Sequence, residues 1–364
     1  MILRLLTIIT AIILSAQAPA QSSAISPIPA LFSEHSYGLF DSDKPLPITL
    51  KGNMHDLLND RGDNSKYHPI ILTYRNEDSS EVSIAVNIKT RGHFRRIKTN
   101  CIYPPLLIQL ANDREQVDSL FPKKAKLKLV MPCKDDEYVI REWLVYKIYN
   151  LVTPESFKAR LVKVTMENEN RKLTATSFFG ILLEEEEQMA KRNHQVVVDM
   201  KLSPEMVNTE SFLKMATFEY LIGNTDWSVQ YLQNIKLIAK DSTAVSIAVP
   251  YDFDHAGIVN APYAKPAEQL NLFSVRERRY RGYCLHDLKT FDSTVACYNR
   301  LKNDIYALYS NNPLLTAKYI KSTIQYLDDF YETLNNPKTL QKEFEYPCDK
   351  NGTGNVIIKG LKKD

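Results

Sequence analysis

Side chains that could hold a cation are concentrated between Gly223 and Gly257. Asp252 and Asp254 follow a short apolar run, and Asp226 and Asn234 flank the turn before another such run. Carboxylates at the end of a strand can bind a hard cation such as Mg²⁺, and an amide oxygen can complete the ligand set. A carboxylate in the turn could accept a proton from a hydroxyl group. The spacing therefore indicates cation-assisted chemistry on an anionic group, with simple turn capping by Asp226 as the alternative.

Basic residues that could bind that anionic group lie in the N-terminal half. Lys128 in KKAKLKLVM lies on a predicted strand, and Glu142 lies on the predicted helix that follows. A strand lysine can bind phosphate oxygens and can be oriented by a helix carboxylate. Arg91 and Arg95 in IKTRGHFRR belong to a strand and turn that could cover phosphates. The alternatives are a solvated strand face, a solvated helix face and an ordinary basic hairpin.

Hydrophobic periodicity predicts the elements that position these residues. Residues 46–185 are predicted to be mainly strands, because their apolar residues alternate or are β-branched. The predicted strands are LPITL, IILTYR, VSIAVNIKTRG, AKLKLVM, ARLVKVTM and TATSFFGILLE, and one helix, DDEYVIREWLVYKIYNLV, interrupts them. Residues 186–345 are predicted to be helical, with three helices from SPEMVNTESFLKMATFEYLIG, LHDLKTFDSTVACYNRLKNDIYALYSN and LLTAKYIKSTIQYLDDFYETLNN. Strands followed by helices predict an α+β fold in two parts, with a ligand cleft between them.

The N-terminus has the pattern of an export signal. Residues 1–20 combine a short basic start, an apolar run and small residues, which indicates a cleaved signal peptide. Residues 21–45 read as a flexible tether, and residues 346–364 as a C-terminal tail. We therefore expect an exported protein, periplasmic or secreted, without membrane insertion after cleavage. A net charge of +3 over 364 residues gives no reason to expect nucleic-acid binding, and we expect a monomer.

Five cysteines remain after the predicted cleavage site, and an oxidising compartment permits disulfides between them. Proximity in the sequence suggests Cys101 with Cys133, and Cys284 with Cys297. An odd count leaves at least one cysteine unpaired or paired between chains. No Cys-x-x-Cys pair occurs, so a zinc site is not expected.

Several stretches in order resemble the CotH-like family of atypical protein kinases, which is related to a spore-coat kinase. They are RGHFRR, KLKLV, REWLVYKIYNLVTPESFKARLVKV, FFGILLEEEE, YLIGNTDWSVQYLQNIKLI and VPYDFDHAG, spanning about residues 85–260. The resemblance implies a two-lobed, protein-kinase-like fold with a β-rich N-terminal lobe and a helical C-terminal lobe. It also implies ATP with a divalent metal, Mg²⁺ or Mn²⁺, and transfer of phosphate to protein Ser or Thr.

Residue by residue, the resemblance implies roles in both halves. Lys128 would be the phosphate-binding lysine, Glu142 its helix partner, and Glu184 a residue beside the adenine site. The run from Glu184 to Glu187 also reads as the exposed start of a helix.

In the C-terminal half, Asp226 would be the general base and Asn234 a metal-binding residue. Asp252 would be the metal-binding aspartate, and Asp254 stands where the family pattern has glycine. Asn234 follows Asp226 by eight residues, whereas about five are usual in kinases. Gln230 is therefore a rival metal ligand.

These observations leave several functions open. The first is an exported atypical kinase, and the second is a catalytically degenerate kinase fold that binds a ligand in the cell envelope. The same pocket could transfer AMP rather than phosphate. A purely structural role in the envelope is a further alternative.

Overall fold

The computed structural model describes residues 38–110, 119–121, 125–169, 176–284 and 287–348. The predicted signal peptide, the tether up to residue 37, and the tail from residue 349 onward lie outside the described residues. Within these ranges the strands are β1 (Leu46–Gly52), β2 (His68–Arg75), β3 (Glu81–Thr90), β4 (Leu106–Leu110), β5 (Lys126–Val130), β6 (Ala159–Asn168), β7 (Thr176–Leu183), β8 (Val196–Val198), β9 (Ile235–Ala239) and β10 (Ile247–Pro250). The α-helices are α1 (Met54–Asn59), α2 (Asp136–Val152), α3 (Glu186–Arg192), α4 (Thr209–Ile222), α5 (Asp292–Ser310), α6 (Ala317–Asn335) and α7 (Pro337–Phe344).

Strands β1 to β7 form a closed barrel in the order β1-β2-β3-β4-β5-β7-β6. Neighbouring strands are antiparallel except β1 and β6, which are parallel and close the barrel. Alternate residues such as Leu50, Leu72 and Leu127 are fully buried in a core inside the barrel, as the period of two in their strands predicts. The six predicted strands are present. Strand β4 was not predicted because LLIQL does not alternate, and the short helix α1 was not predicted because it has only six residues.

Helix α2 lies between β5 and β6 in the sequence and is buried over most of its circumference. Val139, Trp143, Tyr146 and Ile148 are buried, as the predicted apolar stripe requires. Glu142 on the same helix is buried as well, so it does not lie on a solvated face. Helix α2 thereby carries a carboxylate into the interior, where its charge needs a partner.

The C-terminal half combines helices α3 to α7 with a small antiparallel sheet in the order β10-β9-β8. Two of its three long helices lie where the sequence predicts, over 292–310 and 317–335. The expected Ser203-Pro204 helix start is wrong, since these residues begin a 3-10 turn. Helix α4 starts at Thr209, where the Asn208 side chain accepts a hydrogen bond from the Ser211 amide and caps it. The fold class is α+β, and its β-rich part is a closed barrel.

The described end of the predicted tether contacts the barrel and α2. Leu39 is buried, and Arg160 Nη1 donates hydrogen bonds to the carbonyls of Leu39 and Ser42. Asp43 pairs with Lys147 on α2. Among the described residues, no helix combines the length and the apolar character needed to cross a lipid bilayer.

Candidate active site

The segment Asp252–Asp254 is anchored by its central residue. Phe253 is fully buried, and its ring lies 4.8 Å from the ring of Tyr146 and 5.4 Å from that of Phe218. Strand β10 ends at Pro250, and Asp252 adopts a left-handed conformation with φ of 64°. The Asp252 amide donates a hydrogen bond to Tyr146 Oη at 2.9 Å. The left-handed conformation of Asp252, held by these contacts, positions the two carboxylates.

Arg95 lies inside the molecule between two carboxylates from different elements. Its Nη1 atom is 3.6 Å from Asp254 Oδ2 and 3.9 Å from Glu142 Oε2. Its Nη2 atom donates a hydrogen bond to the carbonyl of Met131, just after β5. The side chain is 9% exposed. Arg95 was expected to cover phosphates, but its contacts make it the counterion of Glu142 and Asp254.

Glu142 is therefore not paired with Lys128, and the pairing expected from the family resemblance is wrong. Burial raises the pKa of Glu142 well above its usual value, and the Asp254 carboxylate raises it further. Arg95 and a hydrogen bond from the Phe253 amide act in the opposite direction. A carboxyl group without sufficient counter-charge in the interior takes up a proton more readily.

Lys128 lies in a separate, cationic part of the site. Its Nζ atom is 5.2 Å from the centre of the Tyr251 ring and 5.9 Å from that of Phe157. Burial lowers the pKa of Lys128, Arg91 and Lys236 lower it further, and two glutamates at the start of α3 oppose the shift. Arg91, Lys128 and Lys236 form what we call the cation group. Lys236 was not singled out in the sequence, because its position on β9 gave no sign that it would approach Lys128.

Asp252 links the cation group to the carboxylates. Burial raises its pKa to about 6, and repulsion from Asp254 and Asp226 contributes to this shift. Arg95 and Arg91 act against it. Arg91 thus influences both Asp252 and Lys128, and the Tyr251 ring beside Lys128 belongs to the residue before Asp252. The basic and acidic groups therefore share one region of the molecule.

Asp226 is held by Asn234 across a turn of the chain. Asn234 Nδ2 donates to the Asp226 backbone carbonyl at 2.8 Å and to Asp226 Oδ2 at 3.1 Å. Backbone hydrogen bonds between Ser228 and Gln233 close the turn, and Gln230 lies within it. The turn explains how residues eight positions apart meet. Burial raises the pKa of Asp226, and nearby His255 opposes the increase.

Glu184 is occupied by partners from its own chain. Its two carboxyl oxygens accept hydrogen bonds from Arg192 Nε and Nη2, both at 3.0 Å, and Oε2 also accepts one from the Lys158 amide at 3.0 Å. The pair ties the end of β7 to the end of α3. The remaining glutamates of this run begin α3, which agrees with the helix-start interpretation.

Two further side chains around the carboxylates were missed. Burial raises the pKa of Tyr263, and its hydrogen bond to Asp254 contributes to the shift. The His255 ring lies 6.0 Å from the Tyr263 ring and 6.2 Å from the Phe94 ring. The motif DFDHAG could have drawn attention to His255, because it follows the acidic pair directly. No sequence signal marks Tyr263.

Two disulfides are formed in the structure. Cys101 pairs with Cys133, as proximity suggested. Cys284 pairs with Cys348, so the suggested Cys284–Cys297 bond is wrong, and Cys297 is a buried thiol on α5. Proximity in the sequence failed because Cys297 points into the helical core, whereas the C-terminal residues return to Cys284.

The side chains at the site are of the types that bind a divalent cation, but they are not arranged as a complete ligand set. Asp254 raises the pKa of both Asp226 and Asp252, and Asp226 also raises that of Asp252. A cation would relieve this repulsion. Oxygen donors are also the ligands that Mg²⁺ prefers. Among the described residues, however, no group of three or more His, Cys, Asp or Glu side chains converges as a metal site. Binding would require the side chains to move together.

A sizeable cavity of about 650 Å³ lies elsewhere, on the helical half. It is lined by Tyr220, Arg276, Glu277, Arg278, Arg279, Tyr326, Asp329, Thr333, Lys342, Glu343 and Tyr346. None of the candidate site residues belongs to this lining. Because the cation group and the carboxylates carry the reactive side chains, they and not this cavity define the candidate site.

Comparison with known proteins gives little information about the function of this site. No protein-family model and no curated protein matches the sequence. Among solved structures, the chain is similar to the crystal structure of a Helicobacter pylori proinflammatory kinase, CtkA, with 12% identity and a TM-score of 0.38. The match covers 67% of this chain and 90% of that chain. A likeness at this TM-score assigns neither a fold nor an activity.

Proposed function

We propose that the protein is an ATP-dependent phosphotransferase of the CotH-like type, with the two-lobed arrangement of that family. In this proposal the barrel and α2 form the β-rich lobe, and α3 to α7 form the helical lobe. The polyphosphate of ATP lies between the cation group on one side and Asp252 and Asp226 on the other. The acceptor is a hydroxyl group of protein Ser or Thr.

The observation that carries the proposal is the closeness of opposite charges: Lys128 Nζ lies 5.2 Å from the centre of the ring of Tyr251, the residue before Asp252. Arg91 lowers the pKa of Lys128, and after Arg95 it lowers that of Asp252. Lys236 is paired with Glu186, but Arg91 and Lys236 still disfavour the charge of Lys128, so an added anion would stabilise it. The carboxylates around Asp252 would in turn be stabilised by a cation. A metal-bound polyphosphate supplies both charges in a single ligand.

Two residues would hold the metal. Asp252 offers a carboxylate, and Asn234 offers its amide oxygen, because its Nδ2 atom is turned towards Asp226. Asp254 is less available, since it faces Arg95 and Tyr263. When bound, a divalent metal neutralises phosphate charge during transfer.

Asp226 would orient and deprotonate the acceptor hydroxyl. Its raised pKa moves the carboxylate towards the range in which a general base works well. Asn234 holds one carboxyl oxygen, and Gln233 Nε2 lies 3.5 Å from the other. The base is thereby oriented before the acceptor arrives.

A catalytically degenerate, ligand-binding protein is the second candidate. It is favoured by the loss of the expected Lys128–Glu142 pair and by the engagement of Asp254 with Arg95. We also propose, from the N-terminal sequence, that the protein is exported. Compartments outside the cytoplasm generally lack ATP, which favours the ligand-binding alternative. The two disulfides agree with an oxidising compartment.

Thermal unfolding with ATP and Mg²⁺ or Mn²⁺ tests binding. Ligand at about 100 times its Kd stabilises a protein by about 2.7 kcal/mol, so we expect the Tm to rise by roughly 5 °C. Lys128→Met and Asp252→Asn should abolish the increase. Lys126→Met, at the exposed first position of the same strand, is the matched control and should retain it.

Incubation with ATP and a protein acceptor tests transfer. Asp226→Asn should retain the thermal shift but lose phosphate transfer by about 100-fold or more. Mass spectrometry of the acceptor separates phosphate from AMP. Binding without transfer in the unaltered protein would favour the degenerate alternative, and no metal-dependent shift would refute the nucleotide site.

A further inference from the structure

A short arginine-rich segment, Val275–Cys284, packs behind the candidate active site. Three of its arginines donate hydrogen bonds to backbone carbonyls of the segments that carry the site residues. Arg276 donates to Gly257, Arg278 to Leu221, and Arg281 to Thr225 and Trp227. No sequence motif marks these arginines.

Arg281 has the most direct contact with the proposed base. Its Nη1 atom donates to the Thr225 carbonyl at 2.8 Å and to the Trp227 carbonyl at 2.6 Å. These carbonyls belong to the residues on either side of Asp226. The guanidinium carbon also lies 4.9 Å from the centre of the Trp227 ring. One side chain thus holds the backbone before and after Asp226.

The surroundings of the Arg281 guanidinium group compensate its charge only in part. Burial lowers its pKa to about 10, and the carboxyl groups of Asp226 and Glu219 oppose the shift. Its Nε atom is buried without a hydrogen-bond partner, and no salt bridge within 4.0 Å is found for it among the described residues. A partly buried cation whose donors face two carbonyls and no carboxylate of the described chain within 4.0 Å contributes little to stability by charge pairing, which points to a positional role.

Arg281 is itself held from two sides. The ring of the preceding residue, Tyr280, stacks on Phe344 of α7 with centroids 4.1 Å apart. Cys284, three residues after Arg281, forms a disulfide with Cys348. These contacts fix the segment to the C-terminal end of the described chain, so Arg281 enters the site from a rigid support.

We propose that Arg281 is a positioning residue, which fixes the backbone around Asp226 so that the carboxylate faces the acceptor. This role rests on the proposed phosphotransferase function. A guanidinium group suits it, because several N–H donors in a rigid plane can satisfy neighbouring carbonyls at once. A lysine at this position would have a shorter reach and a single ammonium group.

The test compares Arg281→Lys with the matched variant Arg278→Lys. Arg278 is also partly buried and also donates to carbonyls, those of Leu221 and Tyr326, but not to those beside Asp226. Hydrogen exchange of the peptide containing residues 224–228 should accelerate about 10-fold or more in Arg281→Lys, as loss of hydrogen bonds from a charged donor predicts. In Arg278→Lys the increase should be confined to α4 and α6.

Steady-state kinetics provide the second measurement. Arg281→Lys should lower kcat for phosphate transfer by about 10- to 100-fold, the effect expected when a catalytic group is misplaced. Its KM for ATP should remain unchanged, because Arg281 does not belong to the cation group. Arg278→Lys should leave both constants close to those of the parent.

If Arg281→Lys does not fold, native-state hydrogen exchange of the unaltered protein tests the same contact. Residues 224–228 and 276–284 should then open together, with one dependence on denaturant. Independent opening of the two segments, or equal exchange of residues 224–228 in Arg281→Lys and the parent, would overturn the role of Arg281. Absence of transfer in the parent would instead refute the proposed function, while the exchange result still tests the contact.

Discussion

At the scale of single residues, buried charges around the site differ in how well they are compensated. Arg95 lies within 4 Å of both Glu142 and Asp254, whereas both carboxyl oxygens of Glu219 on α4 lack a hydrogen-bond partner of good geometry within the described part of the chain. Removing one partner of a buried pair leaves an uncompensated charge and costs about 3–5 kcal/mol. Glu219 avoids that cost by holding a proton: burial and the Asp226 carboxylate raise its pKa, and the Asn224 side chain and Arg281 oppose the shift.

Replacement of Glu219 should therefore change the pH dependence of stability. Burial raises the pKa of Glu219 from 4.5 to about 8. The folded state binds the proton more tightly than the unfolded state, so this contribution to stability is complete below pH 4.5 and is lost as the pH rises through about 8. Glu219→Gln should be close to neutral at pH 4.5 and should stabilise the protein by about 2–4 kcal/mol at pH 8.5.

Urea unfolding at the two pH values provides the measurement. Glu210→Gln, an exposed change on the same helix, is the control and should not stabilise the protein at high pH, because a hydrogen bond from Lys214 lowers the pKa of Glu210. An equal effect of Glu219→Gln at both pH values would contradict the assignment of a protonated, buried carboxyl group.

At the scale of elements, the connection between β3 and β4 determines where Arg95 lies. Cys101 in this connection is bonded to Cys133, two residues after the carbonyl that Arg95 binds. Arg61 donates hydrogen bonds to the carbonyls of Cys101 and Ile102. The connection is therefore attached both to the end of β5 and to the residues after α1. These attachments place the Arg95 guanidinium beside Glu142.

Loss of this disulfide should loosen the connection. The double variant Cys101→Ser/Cys133→Ser should lose about 2–4 kcal/mol of stability and show faster hydrogen exchange at residues 94–97. The matched variant Cys284→Ser/Cys348→Ser should lose a similar stability with residues 94–97 as protected as in the parent. Unchanged exchange at residues 94–97 in the first variant would show that the hydrogen bonds of Arg61 and Arg95 suffice.

At the scale of the whole molecule, two hydrophobic cores share the strands that lie between them. Leu161 on β6 and Ile181 on β7 belong to the core that includes the helices, whereas their neighbours Val162 and Leu182 belong to the core inside the barrel. The alternation of side chains along a strand places one core on each face. Unfolding of either core should therefore disrupt the other.

Truncation on either face should destabilise a single cooperative transition. Leu161→Ala and Leu182→Ala should each cost about 2–5 kcal/mol, because both side chains are fully buried. Leu151→Ala, at a position on α2 that is 37% exposed, should change the stability by no more than about 0.5 kcal/mol. Near- and far-ultraviolet circular dichroism should report one coincident midpoint for each variant, whereas two separate transitions would indicate independent cores.

The sequence by itself determined the local elements and the chemical types at the site. Period-two runs such as LPITL and the apolar stripe of α2 predict strands and a helix, because side-chain direction follows from the local backbone. Clustered aspartates and basic strand residues likewise indicate metal and phosphate chemistry. Strand β4, LLIQL, escaped prediction because it lacks the alternation of LPITL. Helix α1 escaped prediction because its six residues span fewer than two turns.

Only the tertiary structure decided which of these residues meet. Arg95 replaced Lys128 as the partner of Glu142, Cys348 replaced Cys297 as the partner of Cys284, and Arg281 reached the residues beside Asp226 from more than fifty positions away. Such contacts depend on barrel closure, on how the loops return, and on which charge each buried group can find. These are properties of the packed chain, and no local pattern of residues specifies them.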